Sequence, residues 1–386
     1  MIQTNRHQIC VVGKKSNDLC TAVLKVISTI GRASAELFPQ QEPNTLAVSN
    51  RVSFQFASGD YETSGKRYTL VDAHGYIDAV KMLTTGAFAG ATGFSAAILL
   101  FEVNEGVTPD LVHLSQLVRE VGIQTILAFI DQPDKTEDPE LIEMCRMEVE
   151  EATQLESSQI LSGNLNQAVD YQGSDPNAFE WQPIVDLITS LNGLLGDPVD
   201  PTDLPLFAPI YEVEDQEDGT SILACWIERG RLSAGQPVDI VGLGDRIRTQ
   251  CVSAGQSTSV GQARSMAQTV CVDAEPGWIS PGLVITNPKK TRAHPHFAAV
   301  IYALTVEEAG LHLPLISHDQ VQVRLWSIDI EANLAFEDPD RVLSPSETVT
   351  AEISMETPLA MFVGASFEVK KMEQIVAMGI VTQILD

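Results

Sequence analysis

The sequence predicts an α/β domain, a mostly parallel sheet flanked by helices, followed by two β-barrel domains. Three observations predict it. Apolar strands alternate with amphipathic helices from Ile9 to Leu195 at the spacing of a parallel sheet. The proline-rich stretch Asp197-Pro198-Val199-Asp200-Pro201-Thr202-Asp203-Leu204-Pro205 then interrupts that alternation and reads as an extended linker. From Phe207 onward come short strands with Gly and Pro turns, and a second seam falls near Arg292 to Pro295. The boundaries expected are 1–196 for the α/β domain, 197–205 for the linker, 206–293 for the first barrel and 294–386 for the second.

Ile9-Cys10-Val11-Val12-Gly13 is a short apolar strand ending on glycine, and Leu19 to Ile30 has helical spacing, with Leu19, Val23, Ile27 and Ile30 on one stripe. Ala33 to Val52, holding Pro39, Gln40, Gln41 and Pro43, reads as a loop. Val52, Phe54 and Phe56 alternate as a half-buried strand, Ser58-Gly59-Asp60 supplies a turn, and Lys66 to Asp72 pairs back as a hairpin. Asp72 sits at the carboxyl end of that strand, and Gly75 can bring a backbone N–H close to whatever occupies the crevice there. Phosphates and their metal bind at such places, although Asp followed by Gly is also ordinary turn chemistry. Helix Ile77 to Phe88, strand Ala96 to Phe101, helix Asp110 to Val121 and strand Gln124 to Ile130 follow. The acidic helix Pro139 to Leu155, a strand from Gln159 and the helix Trp181 to Leu195, ended by Gly196, complete the domain.

At 386 residues, 44% hydrophobic and a mean hydropathy of +0.04, the chain has room for two or three globular domains. Its longest apolar run, Ala96 to Phe101, is too short to cross a bilayer, and Met1 to Gln8 lacks the apolar core of a secretion signal, so a cytoplasmic protein with no membrane partner is expected. The six cysteines form no C-x-x-C pair, which argues for free thiols rather than a zinc or redox motif. His294 and His296 supply two ligands with no third, so no metal is expected there. The net charge of -28, from 24 Lys+Arg against 52 Asp+Glu, opposes DNA and other polyanions and also serves solubility or a high-salt cytoplasm.

From Tyr61 to Val149 the order of residues resembles the GTP-binding domain of bacterial elongation factor Tu, in Tyr68 to Gly75, Asp78-Ala79-Val80-Lys81, Thr85-Gly86-Ala87 and Val118-Arg119-Glu120-Val121-Gly122. The resemblance continues through Ile227-Glu228-Arg229-Gly230, Gly235 to Gly242 and Met378-Gly379-Ile380-Val381, where that family has its barrel signatures. It implies a P-loop between the first strand and helix, whose second glycine lets backbone amides wrap phosphates, whose lysine reaches the terminal phosphates and whose hydroxyl binds magnesium. Counted from Gly13, those places hold Asp18, Leu19 and Cys20, followed by Thr21. A carboxylate opposes phosphate, leucine cannot replace an ammonium, and a thiol is a poor magnesium ligand. Lys14 and Lys15 in the same loop either compensate or are merely solvated.

The family's first-switch Gly-Ile-Thr is not recognisable in Ala33 to Val52. After Gly75 the family carries the histidine that positions the attacking water; this chain has Tyr76, a phenol whose ordinary pKa is about 10, and His74 stands where proline is usual. Asp131-Gln132-Pro133-Asp134 occupies the place of the guanine-reading Asn-Lys-x-Asp. Asp134 keeps the carboxylate for the ring N–H and amino group, while Asp131 sets an acceptor against the guanine carbonyl oxygen. Ser162 is retained from the family's Ser-Ala-Leu. At the aminoacyl pocket Tyr211, Glu212, Val213 and Glu214 replace Glu-Asp-Val-Phe, Glu214 reading equally as a surface turn. The clamp on the tRNA 5′ end falls on Lys81, Met82 and Leu311, of which Lys81 alone matches.

The resemblance and its losses together imply a pseudo-GTPase. No catalytic residue and no cofactor are expected, charge opposes tRNA, and the partners are proteins: the ribosome, the exchange factor or the genuine elongation factor. The alternative is a working factor that delivers aminoacyl-tRNA, binding GTP or GDP with magnesium through Gly13, Lys14, Lys15, Thr21, Asp72, Gly75, Asp131, Asp134 and Ser162. A third reading fills the crevice with another small ligand, such as a dephosphorylated nucleoside.

Overall fold

The computed structural model describes residues 6–30, 44–47, 52–86, 93–132, 139–175, 177–256, 267–274, 277–310 and 313–385. These form two compact units, one of 6–83 with 93–198 and the other chiefly of 199–385.

The first unit is an α/β sandwich. In chain order it holds β1 (His7–Gly13), α1 (Ser16–Ile30), β2 (Asn44–Ala47), β3 (Ser53–Thr63), β4 (Lys66–Ala73), α2 (Tyr76–Thr84), β5 (Ala96–Glu102), α3 (Pro109–Glu120), β6 (Thr125–Asp131), α4 (Pro139–Thr153), β7 (Ile160–Gly163), α5 (Leu165–Asp170) and α6 (Gln182–Leu194). The strands lie in the order β2-β3-β4-β1-β5-β6-β7, parallel from β4 to β7 and antiparallel at the β2–β3–β4 edge. Ile9, Val11, Leu70, Ile98, Leu127 and Phe129 meet Leu19, Val23 and Ile27 of α1 and Trp181, Ile184 and Leu187 at α6. Burial on both faces is why the central strands read as continuous apolar runs rather than alternating ones.

Several element limits differ from the sequence expectations. Helix α1 opens at Ser16, three residues before Leu19, because Lys15 O accepts the N–H groups of Asp18 and Leu19 and so starts the helical ladder early. Within the stretch read as one loop, Asn44–Ala47 is an edge strand paired with Ser53 to Phe56; residues 31–43 and 48–51 lie outside the described residues. Ser58-Gly59-Asp60 is no turn: β3 runs straight through it, opposite Val71, Leu70 and Thr69, because Asp60 finds Arg6 and Thr69 as donors within the sheet. The turn sits instead at Ser64-Gly65, both at positive φ as a tight hairpin requires. Helix α2 stops at Thr84, short of Phe88, which lies outside the described residues with Ala87. The linker holds a 3₁₀ turn at Pro201–Asp203, capped by Asp200, rather than running fully extended.

The second unit contains two closed barrels. The first is built from β8 (Phe207–Asp215), β9 (Thr220–Trp226), β10 (Pro237–Gly242), β11 (Asp245–Gln256), β12 (Ala267–Asp273) and β13 (Val284–Thr286), closing in the order β10-β11-β12-β9-β8-β13. After it come β14 (Ala293–Ala303), α7 (Val306–Ala309), β15 (Leu315–Ile316), β16 (Gln320–Leu325), β17 (Ile328–Phe336), β18 (Val342–Leu343), β19 (Thr348–Ala360), β20 (Ser366–Lys371) and β21 (Gln374–Leu385). The second barrel closes as β14-β19-β17-β16-β20-β21, with β15 and β18 paired beside it. Phe207, Trp326 and Phe362 pack ring to ring where the barrels meet, and Ser327 donates to Ile210 O at 3.0 Å. Glu214 lies on β8 opposite Ile222, exposed on a strand rather than in a turn. A bulge between His294 and His296 interrupts β14, and His296 Nδ1 pairs with Ser354 Oγ at 3.1 Å. No helix among the described residues is long and apolar enough to cross a membrane.

Candidate functional site

In a parallel sheet the crevice forms beyond the carboxyl ends of the strands. Here β4 ends near Asp72, β1 on Gly13, β5 on Glu102 and β6 on Asp131. Gly13 is required where it stands: at φ +131° a Cβ would lie 2.4 Å from Leu100 O on the neighbouring strand. Two residues, Lys14 and Lys15, then connect β1 to α1. Lys15 takes a left-handed conformation at φ +58°, which turns the chain directly into the helix.

That short connection decides where every neighbouring side chain goes. Ser16 opens α1 and donates its hydroxyl to Asp72, both residues being buried. Burial pushes the Asp72 carboxyl up to about 6 against the opposing hydrogen bond from Ser16. Lys15 Nζ donates to Asp131 Oδ2 at 2.9 Å and lies 3.4 Å from Glu102 Oε2, and donation to Asp131 raises its pKa. The other Asp131 oxygen accepts the Leu165 N–H at 2.9 Å, at the start of α5. Asp131 is fully buried, so both of its donors come from inside the domain. Lys14, exposed, reaches Glu105 at 2.6 Å.

The remaining expected positions are less convergent. Leu19 and Cys20 are wholly buried in the α1 core, and burial together with Asp72 raises the Cys20 thiol well above its usual range. Thr21 lies five residues into α1 from Ser16, about 7.5 Å along the helix axis. The Gly75 N–H donates to Ala73 O at 2.9 Å, so it closes a local turn instead of facing the crevice. His74 is exposed. Tyr76 is half-buried, with its hydroxyl 2.7 Å from His113 Nδ1 on α3 and its pKa raised by burial. Ser162 stands on β7 opposite Ile130, one strand from Asp131. Asp134 and Leu311 lie outside the described residues. Lys81 is largely buried, 3.4 Å from Ser53 O, and Met82 belongs to the core rather than to a surface.

The structure therefore brings together Lys15, Ser16, Asp72, Glu102 and Asp131. Sequence reasoning passes over Ser16 and Glu102. The signal for Ser16 is the Lys15-Ser16 pair just before the helical stripe, Ser being a favoured residue at helix starts; Glu102 has no signal beyond ending an apolar run. A P-loop of the form G-x-x-x-x-G-K-[ST] does not fit this connection, since only Lys14 and Lys15 separate Gly13 from the first hydroxyl.

Two family models match the chain. The elongation factor Tu GTP binding domain model covers residues 40–311, and the elongation factor Tu C-terminal domain model covers residues 290–385. Residues 6–30, which carry β1, the two lysines and α1, precede the first match.

Proposed function

The chain belongs to the elongation factor Tu family of translational GTPases, and from that premise we propose that it is a pseudo-GTPase: a protein-interaction or regulatory module linked to translation that has kept the family's architecture and given up its nucleotide cycle. The observation that carries this reading is the two-residue connection from β1 to α1. Most of the grip of a P-loop on phosphate comes from successive backbone amides aimed inward and from the helix N-terminus behind them. Lys14 and Lys15 are too few to form that cradle. The lysine closest to the helix start spends its ammonium on Asp131 and Glu102. Partners expected on this reading are proteins that hold the family's fold, namely the exchange factor, the ribosome or the genuine elongation factor.

One observation favours the alternative of a working GTP-binding factor that delivers aminoacyl-tRNA. Lys15-Ser16 opens α1 and Ser16 faces Asp72, the residue types that a phosphate and magnesium site would use at a helix start. Calorimetry separates the two. Charge-assisted hydrogen bonds are worth about 1.5 to 3 kcal/mol each, so losing two of them weakens binding by roughly a thousandfold. GDP in magnesium is expected to bind no tighter than about 10 μM, and acid extraction of the purified protein should release no guanine nucleotide. Submicromolar affinity would replace the pseudo-GTPase reading with the working factor.

A further inference from the structure

Three strand ends of the first unit are tied together by the side chains of two adjacent residues, Lys15 and Ser16. Ser16 bonds to Asp72 at the end of β4, and Lys15 bonds to Asp131 at the end of β6 and approaches Glu102 at the end of β5. Asp131 carries the link on to α5 through the Leu165 N–H. The turn itself follows Gly13, the last residue of β1. The geometry points to a built-in tether: Lys15 and Ser16 hold the crevice in one closed arrangement, as a cation and a hydroxyl supplied by the chain itself. The face that this domain shows to partner proteins then depends on no bound nucleotide or divalent cation. This inference rests on the pseudo-GTPase reading and adds to it what took the ligand's place.

Three features make the tether more than an ordinary ion pair. Exposed pairs contribute little, but Asp131 is fully buried, and a buried carboxylate that loses its cation is left with an uncompensated charge. Lys15 takes φ +58° in the turn, and from there its one ammonium reaches both Asp131 and Glu102. Both ends of the tether also sit at strand termini, so loosening it would free the crevice rim and leave the sheet intact.

The test is a double-mutant cycle on the full chain with Lys15→Ala, Asp131→Asn and both, read by urea unfolding in EDTA and again with excess GDP and magnesium. Lys15→Ala is expected to lower the folding equilibrium constant by about a hundredfold, and Asp131→Asn in the same chain should recover at least about tenfold of that loss. Wild-type unfolding should be the same in both solutions. Additive effects of the two substitutions, with no response to GDP, would overturn the tether alone. Stabilisation of the wild type by GDP and magnesium would overturn the pseudo-GTPase reading beneath it, whatever the cycle gives. Should Lys15→Ala not fold, hydrogen exchange on Asp131→Asn and on Ser16→Ala decides: amides at 14–18 and at the end of β6 should exchange at least about tenfold faster while those of α6 do not, and unchanged protection would sink the proposal.

Discussion

His7 shows how one side chain couples the α/β unit to pH. It is buried on β1, its Nε2 lies 3.0 Å from Gly196 O, and its ring packs 5.3 Å from that of Tyr68. Burial lowers its pKa, opposed by the Gly196 carbonyl, so the folded state binds fewer protons than the unfolded chain near the ordinary histidine pKa. Stability from His7 is therefore complete at neutral pH and is lost as pH falls below about 6.5, where the unfolded chain takes up a proton that the folded one resists. The melting temperature of wild type minus that of His7→Gln should fall between about pH 7.5 and pH 5.5; a flat difference would refute the assignment. Tyr76 makes the same kind of point for the site. Its hydroxyl is engaged with His113, a partner on a different helix that nothing in the local sequence announces. Side chains that only face the core, such as Leu19, Val23 and Ile27, are legible from spacing, whereas Ser16, Glu102 and His113 take their meaning from partners far along the chain.

At the scale of elements, the connection after β1 makes the strictest demand. Gly13→Ala would set a Cβ 2.4 Å from Leu100 O at φ +131°, so backbone must move as well as strain be absorbed. Gly75→Ala, at φ +100° with no atom within 4 Å of the new carbon, meets strain alone. Urea unfolding should give a loss of at least about 3 kcal/mol for the first and about 1 kcal/mol for the second; equal losses would mean that the close approach to β5 is unimportant. The interiors of β4, β5 and β6 are readable because both faces are apolar. The ends are not. Whether β3 continues through Ser58-Gly59-Asp60 is settled by Arg6 and Thr69, which lie 54 and 9 residues from Asp60. How early α1 begins is settled by Lys15 O, which accepts the N–H groups of Asp18 and Leu19 ahead of the apolar stripe. Local propensity sets the middle of an element, and particular hydrogen bonds, near or distant, set its limits.

For the whole molecule the governing quantity is charge. The chain carries -28, and residues 295 to 386 hold 14 acidic side chains against four basic ones. Those four are already committed within the second barrel. Arg324 and Lys370 donate to Asp329, Lys371 donates to Asp319, and Arg341 donates to Thr348 O. A phosphate arriving at this surface would have to draw each cation from an existing acceptor while facing the carboxylates left behind. Of the two described clamp positions, Met82 is core and Lys81 is largely buried. Protein–nucleic acid affinity comes chiefly from cations that neutralise phosphates, and salt screens an unfavourable potential without reversing it. A barrel of the family's outline is thus expected to form no complex with aminoacyl-tRNA in about 0.1 M salt, where screening acts over roughly 10 Å, under conditions in which the genuine elongation factor does. Raising the salt should not rescue binding. The measurement is a mobility-shift assay with charged and uncharged tRNA, with and without GTP. A shift that needs both the aminoacyl group and GTP would require nucleotide, pocket and clamp to work together, and would overturn the pseudo-GTPase reading as a whole.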